Sequence, residues 1–190
     1  ALLTKKLLIQ AMSGAGKSWL IRRILEQTFP HVQQIVLDSE GDFKTLREKF
    51  PYVLIGGEQG DIPVSVGIAR ALAHKLLELR TSAIIDISDL EVGRKENERC
   101  DFVSEFLTGM LRSPQKLWHP TLVVLDEAQE CAPERFSASS TEAVIQMAGQ
   151  ARKRAFGFIP ATNRLSEFSK SAAAHCKSKI IGGSMGIDAD

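Results

Sequence analysis

The chain has 190 residues, of which 44% are hydrophobic and 25% are charged, and its formal net charge is +1. These values are typical of a single globular domain with a sizeable core, and the near-neutral charge argues neither for nor against a nucleic-acid partner. No apolar run approaches the roughly 20 residues of a membrane-spanning helix, and the start of the chain lacks a signal-peptide pattern. We therefore expect a cytoplasmic protein with no membrane partner.

Short apolar runs alternate with longer amphipathic segments along the chain. The apolar runs predict strands, and an apolar spacing of three and four residues predicts helices. The predicted strands are residues 6–11, 34–37, 52–55, 83–87, 121–125, 156–161 and 179–181. The predicted helices are residues 18–28, 43–50, 61–79, 102–111, 142–154 and 166–174. Continuous apolar strands separated by helices indicate an α/β fold, with helices on both faces of a central, mostly parallel sheet.

The segment after the first predicted strand carries the strongest functional signal. Its residues are Ser13, Gly14, Ala15, Gly16, Lys17 and Ser18, and Trp19 follows in the predicted helix. A strand, a glycine-rich loop and a helix in this order are typical of a P-loop, whose backbone N–H groups face phosphates. There, Lys17 contacts the β- and γ-phosphates and Ser18 supplies a hydroxyl ligand to Mg²⁺. These seven residues are our candidates for binding ATP; the alternative is a glycine-rich turn with a surface lysine.

One position departs from the common P-loop pattern G-x-x-x-x-G-K-[ST]. Ala11 stands where that pattern has its first glycine. A non-glycine residue in the left-handed conformation costs roughly 1–2 kcal/mol. Either the loop does not need that conformation at Ala11, or nucleotide binding is weaker than in other P-loops.

A second motif follows the strand predicted at residues 121–125. Asp126 and Glu127 come directly after this apolar run, and open α/β sheets bind ligands at the carboxyl ends of their strands. The pattern is that of a Walker B segment, in which Asp126 holds Mg²⁺ and Glu127 is the general base toward the attacking water. The adjacent glutamate favours hydrolysis over the chemistry of a kinase or a small GTPase. The alternative is a pair of solvated acids at a strand end.

Further segments, taken in order, resemble the HerA/FtsK group of P-loop ATPases. Residues 36–42 resemble the D-P-H-G-E segment of that group, and residues 125–129 resemble its D-E-A-H. Residues 150–157 resemble its G-R-K-x-G, residues 159–165 its A-T-Q-R sensor strand, and residues 175–181 its final strand. Many proteins share a P-loop, but this ordered set covers nearly the whole chain and is much more specific.

The resemblance implies a RecA-like P-loop NTPase fold and a hexameric ring that uses ATP and Mg²⁺ to translocate duplex DNA. It implies that Arg152 reaches the γ-phosphate of a neighbouring subunit, with Arg154 as the reserve candidate; the alternative is a solvated basic helix end. Asn163 stands where the group has its sensor glutamine. Asp38 and Asp42 match acidic positions near the nucleotide, and the alternative for both is helix capping.

The resemblance also concerns partners and domain organisation. The implied partners are duplex DNA and other copies of the chain, and a nuclease is left open. Residues 1–190 are interpreted as one P-loop ATPase domain, without the N-terminal β-barrel and C-terminal extension of the group. Arg94 and Lys95 lie in a charged loop that can face DNA or solvent. Trp19 and Trp118 are predicted to be packing residues rather than base-stacking platforms.

Two other functional classes stay open from the sequence. One is a nucleotide-dependent switch or scaffold that assembles without moving DNA, and slow turnover that DNA does not change would favour it. The other is a P-loop kinase, which would need an acceptor pocket and a lid. The pairing of Asp126 with Glu127 argues against the kinase.

Overall fold

The computed structural model describes residues 6–93 and 97–183, which form one seven-stranded sheet flanked by helices. The strands are β1 (Leu7–Gln10), β2 (Gln33–Asp38), β3 (Val53–Ile55), β4 (Ala83–Asp86), β5 (Thr121–Leu125), β6 (Phe156–Thr162) and β7 (Ser178–Ile181). The helices are α1 (Lys17–Thr28), α2 (Ala69–Leu79), α3 (Glu98–Leu111), α4 (Ala128–Cys131), α5 (Thr141–Gln150) and α6 (Lys170–His175). Within the two described ranges, no helix is long and apolar enough to cross a membrane. Arg94 and Lys95, predicted to lie in a charged loop, fall outside these ranges.

All neighbouring strands of the sheet run parallel, in the order β3-β4-β2-β5-β6-β1-β7. In the centre, Val123 of β5 lies opposite Ile35 of β2 on one side and Phe158 of β6 on the other. A parallel sheet that is covered on both faces has strands that are apolar at successive positions. All five residues of β5 are buried. The predicted α/β fold with a parallel central sheet is confirmed.

The two faces of the sheet carry separate hydrophobic clusters, because successive side chains of a strand point to opposite faces. In β5, Val123 belongs to one cluster and Val124 to the other. The first cluster includes residues of α2, α3, α5 and α6, among them the fully buried Phe106. The second includes Leu25 of α1, which is also fully buried. Burial of a side chain of this size stabilises the fold by roughly 1.5–3 kcal/mol.

The helix predicted for residues 61–79 begins later than predicted, at Ala69, after a 3₁₀ turn. The carboxylate of Asp61 does not begin this helix. It accepts a hydrogen bond from the backbone N–H of Leu54 at 2.9 Å and forms an ion pair with Arg47 at 2.9 Å. These contacts hold the start of the segment against β3, so the chain can turn into the helix only further on.

Three more predicted helices are shorter or more tightly wound in the structure. Residues 43–50 contain only a 3₁₀ turn, the helix predicted for 142–154 becomes 3₁₀ at Ala151, and that predicted for 166–174 begins at Lys170. Segments of one to three turns are marginal by themselves in water, so tertiary contacts decide where they begin and end. Apolar spacing therefore identified the segments but not their bounds.

The strand order brings distant parts of the sequence to one edge of the sheet. β6 lies between β1 and β5, and all three strands point the same way. The P-loop follows β1, Asp126 follows β5 and Asn163 follows β6. Because open α/β sheets bind ligands at the carboxyl ends of their strands, this edge is where a functional site is expected.

Candidate functional site

The P-loop residues connect β1, which ends at Gln10, to α1, which begins at Lys17. Gly14 and Gly16 have φ angles of 77° and 89°, in the left-handed region that favours glycine. Gly16 is the N-cap residue of α1, and the first turn of that helix contains no acidic residue. The helix therefore contributes no negative side chain of its own to the positive end of its dipole, which favours an anion there.

Ala11 is not strained in this loop. Among the described residues, the non-glycine residues with a positive φ angle are Arg80, Glu127 and Ala155, so Ala11 does not adopt the left-handed conformation. Ala11 is buried, and a Cβ atom placed on Gly182 would lie 2.8 Å from the Cβ of Ala11. Of the two alternatives for this position, the structure supports the first: the loop does not need a glycine there.

Lys17 forms a buried ion pair with both acids of the second motif. Its Nζ atom donates a hydrogen bond to Oδ1 of Asp126 at 2.6 Å and another to Oε1 of Glu127. All three side chains are almost fully buried. Burial disfavours the charge on Lys17, but the two carboxylates outweigh burial and raise its pKa above the usual value. Burial also raises the pKa of the Asp126 carboxyl, although Lys17 opposes the change.

The carboxylate of Glu127 has two further amide partners. The side-chain N–H group of Asn163 donates to Oε1 and to Oε2, at 2.8 Å each, and that of Gln129 donates to Oε2. Glu127 itself has a left-handed backbone with a φ angle of 46°. A non-glycine residue persists in this conformation only where its surroundings hold it, which is common at functional sites. The structure thus brings together Lys17, Asp126, Glu127 and Asn163, four of the residues proposed from the sequence.

The two acids after β2 have different surroundings. Asp42 accepts a hydrogen bond from the hydroxyl of Ser18 at 3.2 Å, which places it at the P-loop. Asp38 accepts four backbone N–H hydrogen bonds, at 2.8–3.3 Å, from residues 40–43. Burial nevertheless raises the pKa of Asp38 to about 6. Asp38 therefore fixes the turn after β2, although it does not cap a helix as the alternative expected, while Asp42 contacts Ser18 of the P-loop.

A cleft of about 280 Å³ lies over the P-loop, and its walls include Ser18, Glu40, Glu127 and Asn163. Carboxylate oxygens of Glu40, Asp126 and Glu127 lie within 4.8 Å of one another, an arrangement that can hold a metal ion. The second oxygen of Asp126, Oδ2, is buried and accepts no hydrogen bond from the described residues. A buried carboxylate oxygen without a donor fits a cation ligand.

The sequence candidates did not include Glu40 and Gln129. Glu40 lies in the segment 36–42 and Gln129 in the segment 125–129, both of which carry the resemblance to the HerA/FtsK group. That resemblance was the available signal for both residues. The approach of Glu40 to Asp126 and Glu127 depends on the packing of β2 beside β5, and the contact of Gln129 with Glu127 depends on the left-handed turn at Glu127. Residue spacing shows neither.

Arg152 lies at the opposite edge of the sheet, in the 3₁₀ turn before β6. Because β6 has seven residues, Arg152 is about 20 Å from the carboxyl end of its own strand. The side chain of Arg152 is exposed, and its guanidinium forms no hydrogen bond or ion pair with the described residues. Arg154 is engaged instead: its guanidinium lies 5.4 Å from the centre of the Trp118 ring and donates to Gln150.

The two tryptophans have different environments. Trp118 is half-buried, packs against the first hydrophobic cluster and donates its indole N–H to the carbonyl of Ser113 at 3.0 Å. The packing role predicted for it agrees with these contacts. Trp19 is 70% exposed, so the prediction that it is a packing residue is wrong. Trp19 is one of the residues that line the cleft over the P-loop.

Comparison with known proteins supports the assignment of the fold. The family described as "Helicase HerA, central domain" matches residues 1–122. No curated protein matches the sequence. Among solved structures, the genome packaging NTPase B204 from Sulfolobus turreted icosahedral virus 2, in complex with ATP-gammaS, is 14% identical with a TM-score of 0.65. That comparison covers 98% of this chain and 79% of the other chain.

A second similar structure is VirB4 of Thermoanaerobacter pseudethanolicus. It is 13% identical with a TM-score of 0.61, and the comparison covers 96% of this chain and 78% of VirB4. At such low identity these likenesses establish the fold alone. The RecA-like P-loop NTPase fold expected from the sequence is confirmed.

Proposed function

The chain belongs to the family of the HerA helicase central domain, and from this premise we propose that it is an ATP-hydrolysing motor domain. The observation that carries the proposal is the buried contact of Lys17 with Asp126 and Glu127. This contact joins a phosphate-binding loop to a metal-binding carboxylate and a general base. Together these groups bind a nucleoside triphosphate and direct water to its last phosphorus atom.

In the proposed reaction the backbone N–H groups of the P-loop and the start of α1 bind the phosphates of ATP. Lys17 transfers its hydrogen bonds from the carboxylates to the β- and γ-phosphates. Glu127 then accepts a proton from the attacking water, and Asn163 orients the carboxylate of Glu127. The products are ADP and phosphate.

Ser18 and Asp126 are the proposed ligands of Mg²⁺. The orphaned oxygen Oδ2 of Asp126, the hydroxyl of Ser18 and the nearby carboxylate of Glu40 are hard oxygen donors of the kind that Mg²⁺ prefers. When bound, Mg²⁺ neutralises charge on the phosphate oxygens of the nucleotide. The donor set therefore fits the metal that the sequence predicted.

We further propose that the domain forms a ring and translocates DNA. Arg152 is exposed and lies too far from the P-loop of its own chain to act there. We therefore propose that its guanidinium contacts the nucleotide bound to a second copy of the chain. A ring, for which we propose six copies, would supply that contact at every interface. Duplex DNA is the proposed substrate, and residues 1–190 are proposed to be one ATPase domain. One similar structure is that of a genome packaging NTPase, which is consistent with a DNA substrate.

The decisive experiment compares ATP turnover with and without duplex DNA, together with the mass of the protein bound to ATP. The native chain should hydrolyse ATP as an oligomer and be stimulated by DNA. Glu127→Gln should lower turnover by about 100-fold or more, because general-base catalysis is typically worth 10²–10⁴. Glu142→Gln, which changes an exposed glutamate on α5, is the matched control and should have no effect.

Three other results would each change the conclusion. ATP binding with slow turnover that DNA does not alter would favour a switch or scaffold. Transfer of phosphate to a small-molecule acceptor, without any ring, would favour a kinase. ATP turnover that persists in Glu127→Gln would show that Glu127 is not the general base.

A further inference from the structure

The carboxylate of Glu127 has no free acceptor position in the structure. Its Oε1 atom accepts hydrogen bonds from Lys17 and Asn163, and its Oε2 atom accepts from Asn163 and Gln129. A carboxylate offers about four lone-pair directions in total. All four are therefore taken, and a water molecule cannot donate its proton to Glu127 until one of the donors leaves.

Of the donors, Lys17 is the one that nucleotide binding would remove. Its ammonium group lies between two carboxylates, and phosphate oxygens at the P-loop would compete directly for the same N–H groups. Its departure would open a position on Oε1. The amide donors on Oε2 and on the far side of Oε1 would then keep the carboxylate in its present orientation.

Gln129 is well placed to provide that orientation. Its side-chain N–H donates to Oε2 of Glu127, while its own Oε1 atom is buried and has no partner among the described residues. The reversed amide would turn that oxygen toward the carboxylate and lose the hydrogen bond, so the contact fixes which way the amide points. The left-handed backbone of Glu127 and the tight turn closed by Glu130 fold Gln129 back over the acid.

We propose that Gln129 is a positioning residue for the hydrolysis reaction, which holds Oε2 of Glu127 so that Oε1 faces the attacking water. This inference rests on the proposed ATPase function. In the step concerned, water gives one proton to Oε1 as its oxygen forms a bond to the γ-phosphorus. The bond from that phosphorus to the bridging oxygen breaks, and ADP leaves with the electron pair.

Two substitutions of Gln129 test the role, measured as kcat and KM for ATP in the full chain. Gln129→Glu keeps the shape but replaces the donor by an acceptor, and Gln129→Ala removes the side chain. Both should lower kcat by about 10- to 100-fold, as expected for a misaligned catalytic group, with KM for ATP within about twofold. Gln146→Ala, a substitution of an exposed glutamine on α5, should change neither constant. Unchanged kcat in both Gln129 variants, or a loss confined to KM, would overturn the inference.

A second measurement needs no turnover. In the nucleotide-free chain, the side-chain amide NMR signals of Gln129, assigned by their loss in Gln129→Glu, should exchange slowly with water and move on Glu127→Gln substitution. Signals that resemble those of exposed Gln146 and do not respond to Glu127→Gln would overturn the contact itself. If the native chain shows no ATP turnover while the Gln129 amide signals respond to Glu127→Gln, the proposed ATPase function is wrong but the hydrogen bond from Gln129 to Glu127 is supported.

Discussion

The side-chain amide of Asn163 donates hydrogen bonds to both carboxylate oxygens of Glu127, at 2.8 Å each. The two residues follow adjacent strands, β6 and β5, at the same edge of the sheet. Asparagine is shorter than the glutamine expected at this position, but because the two strand ends are adjacent, Asn163 still reaches Glu127. Among the described residues, Oδ1 of Asn163 is buried and without a hydrogen-bond donor, so it is free to accept one from a water molecule or a ligand.

We expect Asn163→Ala to lower kcat for ATP by about tenfold or more, because Glu127 loses two hydrogen bonds that orient it. Nucleotide affinity should change little, since Asn163 contacts the acid rather than the P-loop lysine. Steady-state kinetics and a separate measurement of the nucleotide dissociation constant distinguish the two effects. Asn163→Gln retains the amide and should recover part of the loss; equal activity of the native chain and Asn163→Ala would contradict the assignment.

Replacing Lys17 should destabilise the nucleotide-free protein as well as abolish nucleotide binding. Lys17→Met leaves the buried carboxylates of Asp126 and Glu127 without their cation, a change that typically costs about 3–5 kcal/mol. The pKa of Lys17 is raised in the folded chain, so its contribution is fully present at neutral pH and is lost only as the pH rises through that raised value. Urea denaturation measures the loss.

The control for this prediction is Lys75→Met. Lys75 forms an exposed ion pair with Glu78 at 2.9 Å, and exposed pairs contribute roughly 0–1 kcal/mol. A loss of stability in Lys17→Met no larger than in Lys75→Met would show that the buried ion pair does not stabilise the nucleotide-free chain.

Asp38 should give the protein a distinctive dependence of stability on pH. Burial raises its pKa to about 6, so the folded chain binds this proton more tightly than the unfolded chain. Its contribution to stability is therefore fully present below about pH 4 and is lost as the pH rises through about 6. The difference in unfolding free energy between the native chain and Asp38→Asn should fall by roughly 2–3 kcal/mol between about pH 4 and pH 7.

Asp61→Asn is the matched comparison for the Asp38 experiment. The backbone N–H of Leu54 and the guanidinium of Arg47 lower the pKa of Asp61. Its contribution is therefore present above the ordinary aspartate value and is lost as the pH falls. Urea denaturation across the pH range should give slopes of opposite sign for the two variants, and slopes of the same sign would contradict the surroundings described for Asp38.

The contact between Gly182 and Ala11 predicts a specific steric conflict. A Cβ atom on Gly182 would lie 2.8 Å from the Cβ of Ala11, and the N–H of Gly182 is fixed by a 2.7 Å hydrogen bond to the carbonyl of Gln10. Gly182→Ala should cost about 1–3 kcal/mol of stability, and Ala11→Gly should relieve most of that cost in a double-mutant cycle.

Gly183→Ala provides the control, because its Cβ would meet that of Ala15 at an ordinary 3.6 Å. Thermal or urea unfolding of the native chain, the two single variants Gly182→Ala and Ala11→Gly, and the double variant measures the coupling between the two residues. If Gly182→Ala is no more destabilising than Gly183→Ala, the close approach of the two chain segments is not a constraint on the P-loop.

The role proposed for Arg152 can be tested by mixing two inactive variants. Arg152→Ala keeps an intact P-loop but offers no guanidinium to its neighbour, whereas Lys17→Met keeps Arg152 but loses its own site. An arginine acting between subunits is worth about 10³–10⁵ in rate, so each variant alone should be inactive and the mixture should recover ATP turnover. Arg154→Ala, whose arginine packs on Trp118, should retain activity. A mixture that stays inactive would argue against action between subunits.

Local signals in the chain identified the main features of this protein. The run of β5 specified a buried strand with its bounds correct, because a central parallel strand is covered on both faces and is therefore apolar at nearly every position. Gly14, Gly16, Lys17 and Ser18 stand together in one short segment, so their pattern alone predicted a phosphate site. The ordered motifs identified the family for the same reason: each is contiguous in the sequence.

Packing decided the features that depend on residues far apart in the chain. Asn163 meets Glu127 because β6 lies beside β5, and no spacing in the sequence encodes that strand order. Gln129 is only two residues from Glu127, but the left-handed backbone of Glu127 that brings their side chains together is a feature of the folded chain. The environment of Ala11 depends on Gly182 at the end of β7, and the exposure of Trp19 depends on which side of α1 faces the sheet. Hydrogen bonds and steric contacts act over a few ångströms in space, so the tertiary fold alone determines which residues share them.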